Sequence, residues 1–264
     1  MVLQVRQMGG WYDKQRIMRF LRNDYDNFYL LFDLENYNFL MGNSQFYFAR
    51  DGSDMSGVML IYYHSSGVKD IWFSGNDESF DLLLRNIDRS KSLVHMRFNG
   101  NLKFFDDADR IYHEYCMVVD KPNGEKDKSV RLLSADAHQQ YGQLMSQWQG
   151  TRFPSMGKEE FRNLLTYSTV YGYYDGENLA SAATLGAVWK DWFVISSVFT
   201  DPRYRNKGYA GKVISTIMSN YNHLSKGILY VNKENPAAIN VYRKLGFKVY
   251  SEELWVDYGT GLVP

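Results

Sequence analysis

The chain has 264 residues, with 30 Lys+Arg against 30 Asp+Glu and 45% hydrophobic residues, of which a large share is aromatic, including 21 Tyr. That length suits one large or two modest domains with a real core, and five Pro among so many aromatics read as folded throughout. The even charge balance supplies no long-range attraction to a phosphate backbone or an anionic membrane, and the lone Cys116 excludes an intrachain disulfide.

From the N-terminus, Met1 to Gln7 shows no basic segment followed by an apolar stretch, so no signal peptide is expected. Nor does any window approach the roughly 18 uninterrupted apolar residues of a membrane span. A cytoplasmic protein is the expectation. A first strand is expected near Leu3–Arg6, then helices near Asp13–Leu21 and Asn27–Asn36, the apolar run from Phe28 to Phe32 being packing surface. Strands follow at Gln45–Ala49 and Gly57–Tyr63, joined by the turn Asp51-Gly52-Ser53. Lys69–Phe73 reads as a strand, Asp77–Ile87 as a helix and Leu93–Phe98 as a strand. Leu102–Ile111 is helix-like, and Tyr115–Val119 is a strand.

The run Asp120 to Lys128 combines Pro122, Asn123 and Gly124 with alternating charges, which is turn chemistry kept in water. It divides the chain into a domain over 1–120, a linker over 121–129 and a second domain over 130–264. The second domain opens with a strand at Val130–Leu133, and Ser134 is placed to cap a helix running to Trp148. A helix at Lys158–Tyr167 is followed by strands at Val170–Tyr174 and Leu179–Ala187 around the turn Asp175-Gly176-Glu177-Asn178. Then come a strand at Trp192–Phe199, a helix at Gly208–Tyr221, a strand at Ile228–Val231 and a helix at Pro236–Leu245. Two strands, Phe247–Tyr250 and Leu254–Val256, close the chain. Phe46–Ser74 and Tyr171–Ser197 share one plan of strand, Asp-Gly turn, strand, polar turn and aromatic strand, so an architectural repeat is expected in an α/β (α+β) protein.

The chemistry concentrates between Val198 and Gly211, where a strand ends and a helix begins. Arg205-x-x-Gly208-x-Ala210 puts small residues in the first helical turn, so a ligand can approach the backbone closely. Unpaired N–H groups converge there and the helix dipole adds positive potential, which is a site for a diphosphate. Arg203, Arg205 and Lys207 are expected to add full charge around it. The five histidines, His64, His95, His113, His138 and His223, lack metal-ligand spacing, so no metal is expected; no nucleophile elbow or Walker loop occurs.

These residues resemble the signature of the GNAT superfamily, the GCN5-related N-acetyltransferases: Arg205, Gly208 and Ala210 match Arg/Gln-x-x-Gly-x-Gly/Ala, with Pro202 in the preceding turn. Asn235, Ala238, Tyr242, Gly246 and Phe247 are similar to the family's Asn-x-x-Ala-x-x-x-Tyr-x-x-x-Gly-Phe. The resemblance covers about 130–258 and is only architectural over 1–120. It implies two GNAT-like domains, each a mixed, mostly antiparallel sheet flanked by helices with a splayed central parallel strand pair. It implies acetyl-CoA as cosubstrate, its pantetheine arm lying along Val198, Phe199 and Thr200. The pyrophosphate would rest on the amides of Arg205, Asn206, Lys207, Gly208, Tyr209, Ala210 and Gly211. Asn235 would hold the pantetheine or an ordered water, and Tyr242 would reach the thioester sulfur, these two forming the catalytic set.

A phenol with pKa about 10 protonates a thiolate of pKa about 8.5 only uphill, by roughly 2 kcal/mol, so hydrogen bonding to the sulfur is easier to defend than full transfer. No base is assigned: the strand offers Asp191, Ser196 and Ser197 but no carboxylate in its middle, and Glu234 is only near in sequence. The first half has Ser74 to Ser79 at the matching place, where Asp77 and Glu78 would fill the helix start, so loss of cofactor binding is expected there. The implied activity is acetyl transfer to a primary amine in a ternary complex without a covalent enzyme intermediate, Cys116 lying outside the motif. Transfer of a longer acyl group, as in the glycine N-acyltransferase-like branch, and a non-catalytic CoA-binding sensor are the alternatives. Neither nucleic acid nor membrane is expected as a partner.

Overall fold

A computed structural model describes residues 4–22, 24–36, 42–64 and 66–262; Leu3, at the start of the first expected strand, and the last two residues of the second expected domain lie outside them. The chain forms two compact units, one built from residues up to Glu114 together with Ser251–Gly261 and the other from Tyr115–Tyr250. Among the described residues no helix is long and apolar enough to cross a membrane.

In the N-terminal unit, strands β1 (Gln4–Gln7), β2 (Ser44–Asp51), β3 (Asp54–Tyr63), β4 (Lys69–Gly75) and β5 (Ser92–Arg97) lie side by side in chain order. The first four are antiparallel neighbours, whereas β4 and β5 run parallel from Lys69↔Ser92 to Phe73↔Met96. Among the described residues three helices accompany them: α1 (Trp11–Leu21), α2 (Phe28–Glu35) and α3 (Asp77–Arg85). Helix α3 forms because Asn76 caps it, accepting the Ser79 N–H at 2.9 Å, and because Phe80, Leu83 and Leu84 share one face that packs on Ile71 and Val94. Phe28, Leu30 and Leu31 on α2 are fully buried, as the apolar run suggests.

Two expectations fail in this unit. Leu102–Ile111 is no helix: it holds a single 3₁₀ turn, Lys103–Phe105, and β6 (Arg110–Asp120) already begins at its end. Asn99 Oδ1 accepts the Asn101 N–H and Asn101 Oδ1 accepts the Lys103 N–H, and after the single turn the Asp109 N–H goes to Asp257 O of the last strand at 2.9 Å instead of to a helical acceptor. The two closing strands are one, β12 (Lys248–Tyr258). Its residues Glu253 to Tyr258 pair antiparallel with Arg97 to Ser92 of β5, which gives the N-terminal unit its last strand.

The C-terminal unit takes the end of β6, then β7 (Val130–Leu132), β8 (Thr169–Asp175), β9 (Asn178–Trp189), β10 (Trp192–Thr200) and β11 (Lys226–Asn232), in the order β6-β11-β10-β9-β8-β7. Helices α4 (His138–Met145) and α5 (Lys158–Tyr167) cover one face with Tyr141, Leu144, Phe161 and Leu165 over Ala182 and Phe199. Helices α6 (Tyr209–Asn220) and α7 (Pro236–Lys244) cover the other with Val213, Ile217, Ile239 and Tyr242 over Ala183, Phe193 and Ile195. Neighbouring residues Ala182 and Ala183 thus point into different cores, the period-two rule of a sheet buried on both faces. Ser134 does not cap by its side chain: the chain enters through a 3₁₀ turn, Ala135–Ala137, and α4 ends at Met145 instead of Trp148. The charged segment 121–129 is fastened along α6. Glu125 donates its N–H to Ser215 Oγ at 2.8 Å, Asp127 donates to Thr216 Oγ1 at 3.1 Å, and Lys212 pairs with Asp127 at 3.1 Å.

Candidate functional site

Strands β10 and β11 are parallel partners for only four residue pairs, from Trp192↔Lys226 to Ile195↔Leu229. Both continue beyond that point, to Thr200 and Asn232, without further pairing among the described residues, so the pair splays. On its other side β10 stays bound to β9, but with a bulge. Ser196 faces Thr184 and Phe199 faces Ala182, which leaves Ser197 and Val198 opposite the single Ala183. Ser197 takes a left-handed φ of 49° to make this turn. The bulge re-aims the backbone of residues 197–200 just where the neighbouring strand has moved away, giving an exposed hydrogen-bonding edge inside a sheet.

The end of β10 leads through a 3₁₀ turn, Pro202–Tyr204, to the start of α6. Asn206 and Gly208 both hold left-handed backbone, with φ of 63° and 78°. Asn tolerates that region and Gly takes it without strain. The first helical hydrogen bond is Lys212 N–H to Gly208 O at 3.1 Å, and among the described residues no protein acceptor takes the amides of Asn206 to Gly211. A Cβ built on Gly208 would meet nothing within 4 Å, and one on Gly211 would touch only Val241 at 3.6 Å. The helix start is therefore open, with its donors turned outward, as Asn206, Lys207 and Gly208 are exposed and Ala210 and Gly211 half-buried.

The three cations expected around it divide. Arg203 does not contribute free charge. Its guanidinium is held by the buried Asp201, which accepts Nη2 at 2.7 Å and Nε at 3.1 Å, along with the Arg203 N–H at 2.9 Å and Gln147 Nε2 at 3.2 Å. With the Arg203 side chain as its largest support, the Asp201 carboxyl is held down to about 2, so this pair stays ionised and braces the turn. Lys207 reaches Asp175 at 3.4 Å, and Asp175 also accepts the Tyr209 phenol at 2.8 Å. That bond pushes the Tyr209 hydroxyl up to about 12 and lowers the Asp175 carboxyl. Tyr209 in turn stacks on Tyr173 with centroids 4.0 Å apart. Arg205 carries the uncommitted charge: its Nε leans on Thr200 O at 3.4 Å, its guanidinium lies near the Phe199 ring, and no described carboxylate pairs with it. Sequence reading missed the roles of Asp201 and Asp175. The first could have been found, since an Asp before Pro and two residues before Arg is an Asx-turn signal.

The remaining expected residues sit around the splay. Phe199 is buried and stacked on Trp148, while Val198 and Thr200 are half-buried; Thr200 Oγ1 bonds Ser181 Oγ at 2.8 Å. Tyr242 is buried in the core that holds Ile195 and Val231, with Val198 packed against it, and meets Phe247 edge-on at 6.3 Å. Asn235 is exposed and caps α7, its Oδ1 accepting the Ala238 N–H at 3.1 Å, which leaves only its Nδ2 for other partners. Glu234 is exposed, and Asp191 is tied to Ser225, its backbone oxygen accepting that residue's N–H at 2.8 Å. Neither is placed on the middle of β10.

Residues 137–247 match the model of the acetyltransferase (GNAT) family. Among solved structures the chain is similar to a Drosophila protein at 11% identity and TM-score 0.62, covering 95% of this chain and 89% of that one. It is similar to a GCN5-related N-acetyltransferase-like protein from Streptococcus suis at 14% identity and TM-score 0.57, covering 94% and 99%. A tandem GNAT protein from the clavulanic acid biosynthesis pathway matches at 10% identity and TM-score 0.55, covering 97% and 98%. At such identities the likeness is one of fold, and here it extends over both units. No curated protein matches the chain in sequence.

Proposed function

Because its residues 137–247 belong to the GNAT family and the chain carries that fold in tandem, we propose that this protein is an acyl-CoA-dependent N-acyltransferase, with acetyl-CoA the cosubstrate and a primary amine the acceptor. The observation that supports this most is the pairing of two unsatisfied backbone surfaces in the C-terminal unit. The bulged edge of β10 can bond an amide-bearing chain as a strand would, and the uncapped start of α6 can bond a diphosphate. Pantetheine and pyrophosphate are consecutive parts of coenzyme A, and the two surfaces are consecutive in the chain.

In this reading the edge from Val198 to Thr200 binds the pantetheine amides, the amides of Asn206 to Gly211 bind the diphosphate, and Arg205 supplies the free cation. Asn235 Nδ2 is available to a pantetheine carbonyl. Tyr242 donates a hydrogen bond to the developing charge on sulfur. Holding the reactants together supplies most of the acceleration, as intramolecular arrangements can contribute about 7–11 kcal/mol.

Two measurements test the reading: calorimetric titration with acetyl-CoA, and release of free thiol with a panel of primary amines. Binding with thiol release supports it. Binding without release from any amine favours a CoA-binding sensor, a reading motivated by the absence of a carboxylate on β10 from Trp192 to Thr200. Comparing acetyl-CoA with longer acyl-CoAs decides the chain length, and no binding at all refutes the proposal.

A further inference from the structure

We propose that Ser196 positions the acceptor amine, received in its neutral form, and that Thr184 and Tyr141 hold the Ser196 hydroxyl for that task in place of a strand carboxylate. This rests on the acyltransferase reading and adds to it the acceptor side of the site. Ser196 is the first residue of β10 beyond the last parallel pair and the last before the bulge, so it stands at the mouth of the splay. Its cross-strand partner on β9 is Thr184, and such partners share a face with Cβ atoms about 4.5–5.5 Å apart. A Cβ on Gly186 would lie 2.8 Å from Ser196 Oγ, so the hydroxyl has its room because residue 186 has no side chain.

Behind this pair stands Tyr141 of α4, wholly buried. Its hydroxyl makes no well-formed hydrogen bond; the polar groups that act on it are the Thr184 hydroxyl and the Arg152 charge. Burial pushes the phenol up to about 12, so Tyr141 keeps its proton throughout the neutral range and can donate it toward Thr184. An apolar core has no need of a tyrosine here; Phe would fill the same space. Thr184 therefore lies between a buried hydroxyl on α4 and the half-buried Ser196 at the mouth of the splay.

The chemistry fits a site without a base. An alkylammonium has no lone pair, and with pKa near 10.4 it is mostly protonated at neutral pH. β10 offers no carboxylate to remove that proton. The neutral amine has two N–H groups and one lone pair. Ser196 Oγ accepts one N–H and so turns the lone pair toward the thioester. The lone pair forms the C–N bond to the carbonyl carbon, the C–S bond breaks with its electron pair leaving on sulfur, and the surplus amine proton ends on that sulfur. Amide and free thiol result, with no further reactant.

The test uses the full chain with acetyl-CoA and two amines of different basicity, n-butylamine and glycinamide. With each, kcat/KM should rise about tenfold per pH unit and level off at the pKa of that amine. Ser196→Ala should lower kcat/KM by about tenfold, the size of one lost hydrogen bond, with the calorimetric Kd of acetyl-CoA unchanged. Ser196→Thr should restore the rate, and Tyr141→Phe should shift it in the same direction as Ser196→Ala. An unchanged rate in Ser196→Ala, or a profile that levels at one fixed pH with both amines, overturns this assignment alone. Failure of the wild-type chain to bind acetyl-CoA, or to turn over either amine, overturns the acyltransferase reading and this inference with it.

Discussion

Replacing Gly208 by Ala and by Glu separates the backbone of the helix start from its charge. Gly208 sits at φ 78° and ψ 10°, so any Cβ there costs about 1–2 kcal/mol of folding stability, and no neighbour adds to that cost because nothing lies within 4 Å. Both variants should therefore lose the same stability in urea unfolding and keep a cooperative transition. They should differ in binding. A Glu carboxylate roughly 5 Å from a bound phosphate repels it by about 1–3 kcal/mol as the effective dielectric falls from ~80 to ~20. Relative to Gly208→Ala, Gly208→Glu should weaken acetyl-CoA by between about fivefold and a few hundredfold. Calorimetry at low and high salt measures it, and the gap should narrow in salt because the site is exposed. Equal affinity in the two variants would show that no phosphate approaches residue 208, and the cofactor assignment would fall.

Tyr242→Phe keeps the packing against Phe247 and should lower kcat while leaving the Kd of acetyl-CoA nearly unchanged; equal losses in both would make the phenol a packing group. Asp33 is buried on α2 beside Ser44 and near Asp70, and desolvation raises its carboxyl from 3.8 to about 6. Between those values the unfolded chain has lost its proton and the folded one has not, so stability falls as pH rises, by about 3 kcal/mol in all. Asp33→Asn should remove that slope, and parallel pH–stability curves for wild type and variant would refute it. Gly124→Ala would set a Cβ 2.0 Å from Ser215 O, so it should cost about 1–3 kcal/mol; a loose, solvated linker would tolerate it, and an unchanged urea midpoint would contradict the fastening of 121–129 on α6.

What was legible in the sequence was local. Gly208 and Ala210 announce an open helix start because the conformational freedom they provide acts within one turn. Asp51-Gly52 and Asp175-Gly176 announce hairpins because their glycines hold φ of 59° and 65°. What was not legible depends on distant partners. Lys248–Tyr258 reads as two short strands because Ser251, Glu252 and Glu253 interrupt its apolar residues, and nothing in it says that Glu253 will face Arg97 across 156 positions of chain. The alternating charges of 121–129 read as solvated because neither Ser215 nor Thr216, which take its amides, is near in sequence. The helical period of 102–111 lost to a distant acceptor, Asp257 O, which takes the Asp109 N–H. Arg203 looked like a ligand for phosphate until a buried carboxylate two residues away claimed it.

The two units differ at the strand end and helix start that follow their parallel strand pairs. In the N-terminal unit β3 and β4 pair without a break from Tyr63↔Lys69 to Gly57↔Gly75, so no bulge re-aims the backbone at the end of β4. A Cβ on Gly75 would lie 2.5 Å from Gly57 Cα, and one on Gly57 would lie 2.6 Å from Ser79 Cβ: here glycines let the protein close on itself, whereas a Cβ on Gly208 would meet nothing within 4 Å. Asn76 caps α3, and Asp77 is held by Asn99 and by Asn101 at 3.0 Å. The start of α3 is thus supplied with anions and acceptors from its own chain, whereas α6 begins with a left-handed Gly208 and no side-chain cap. A cap stabilises a helix by about 1 kcal/mol. The C-terminal unit forgoes that stabilisation at the start of α6, beside the bulged strand, and under the proposed reading a bound diphosphate would supply it instead.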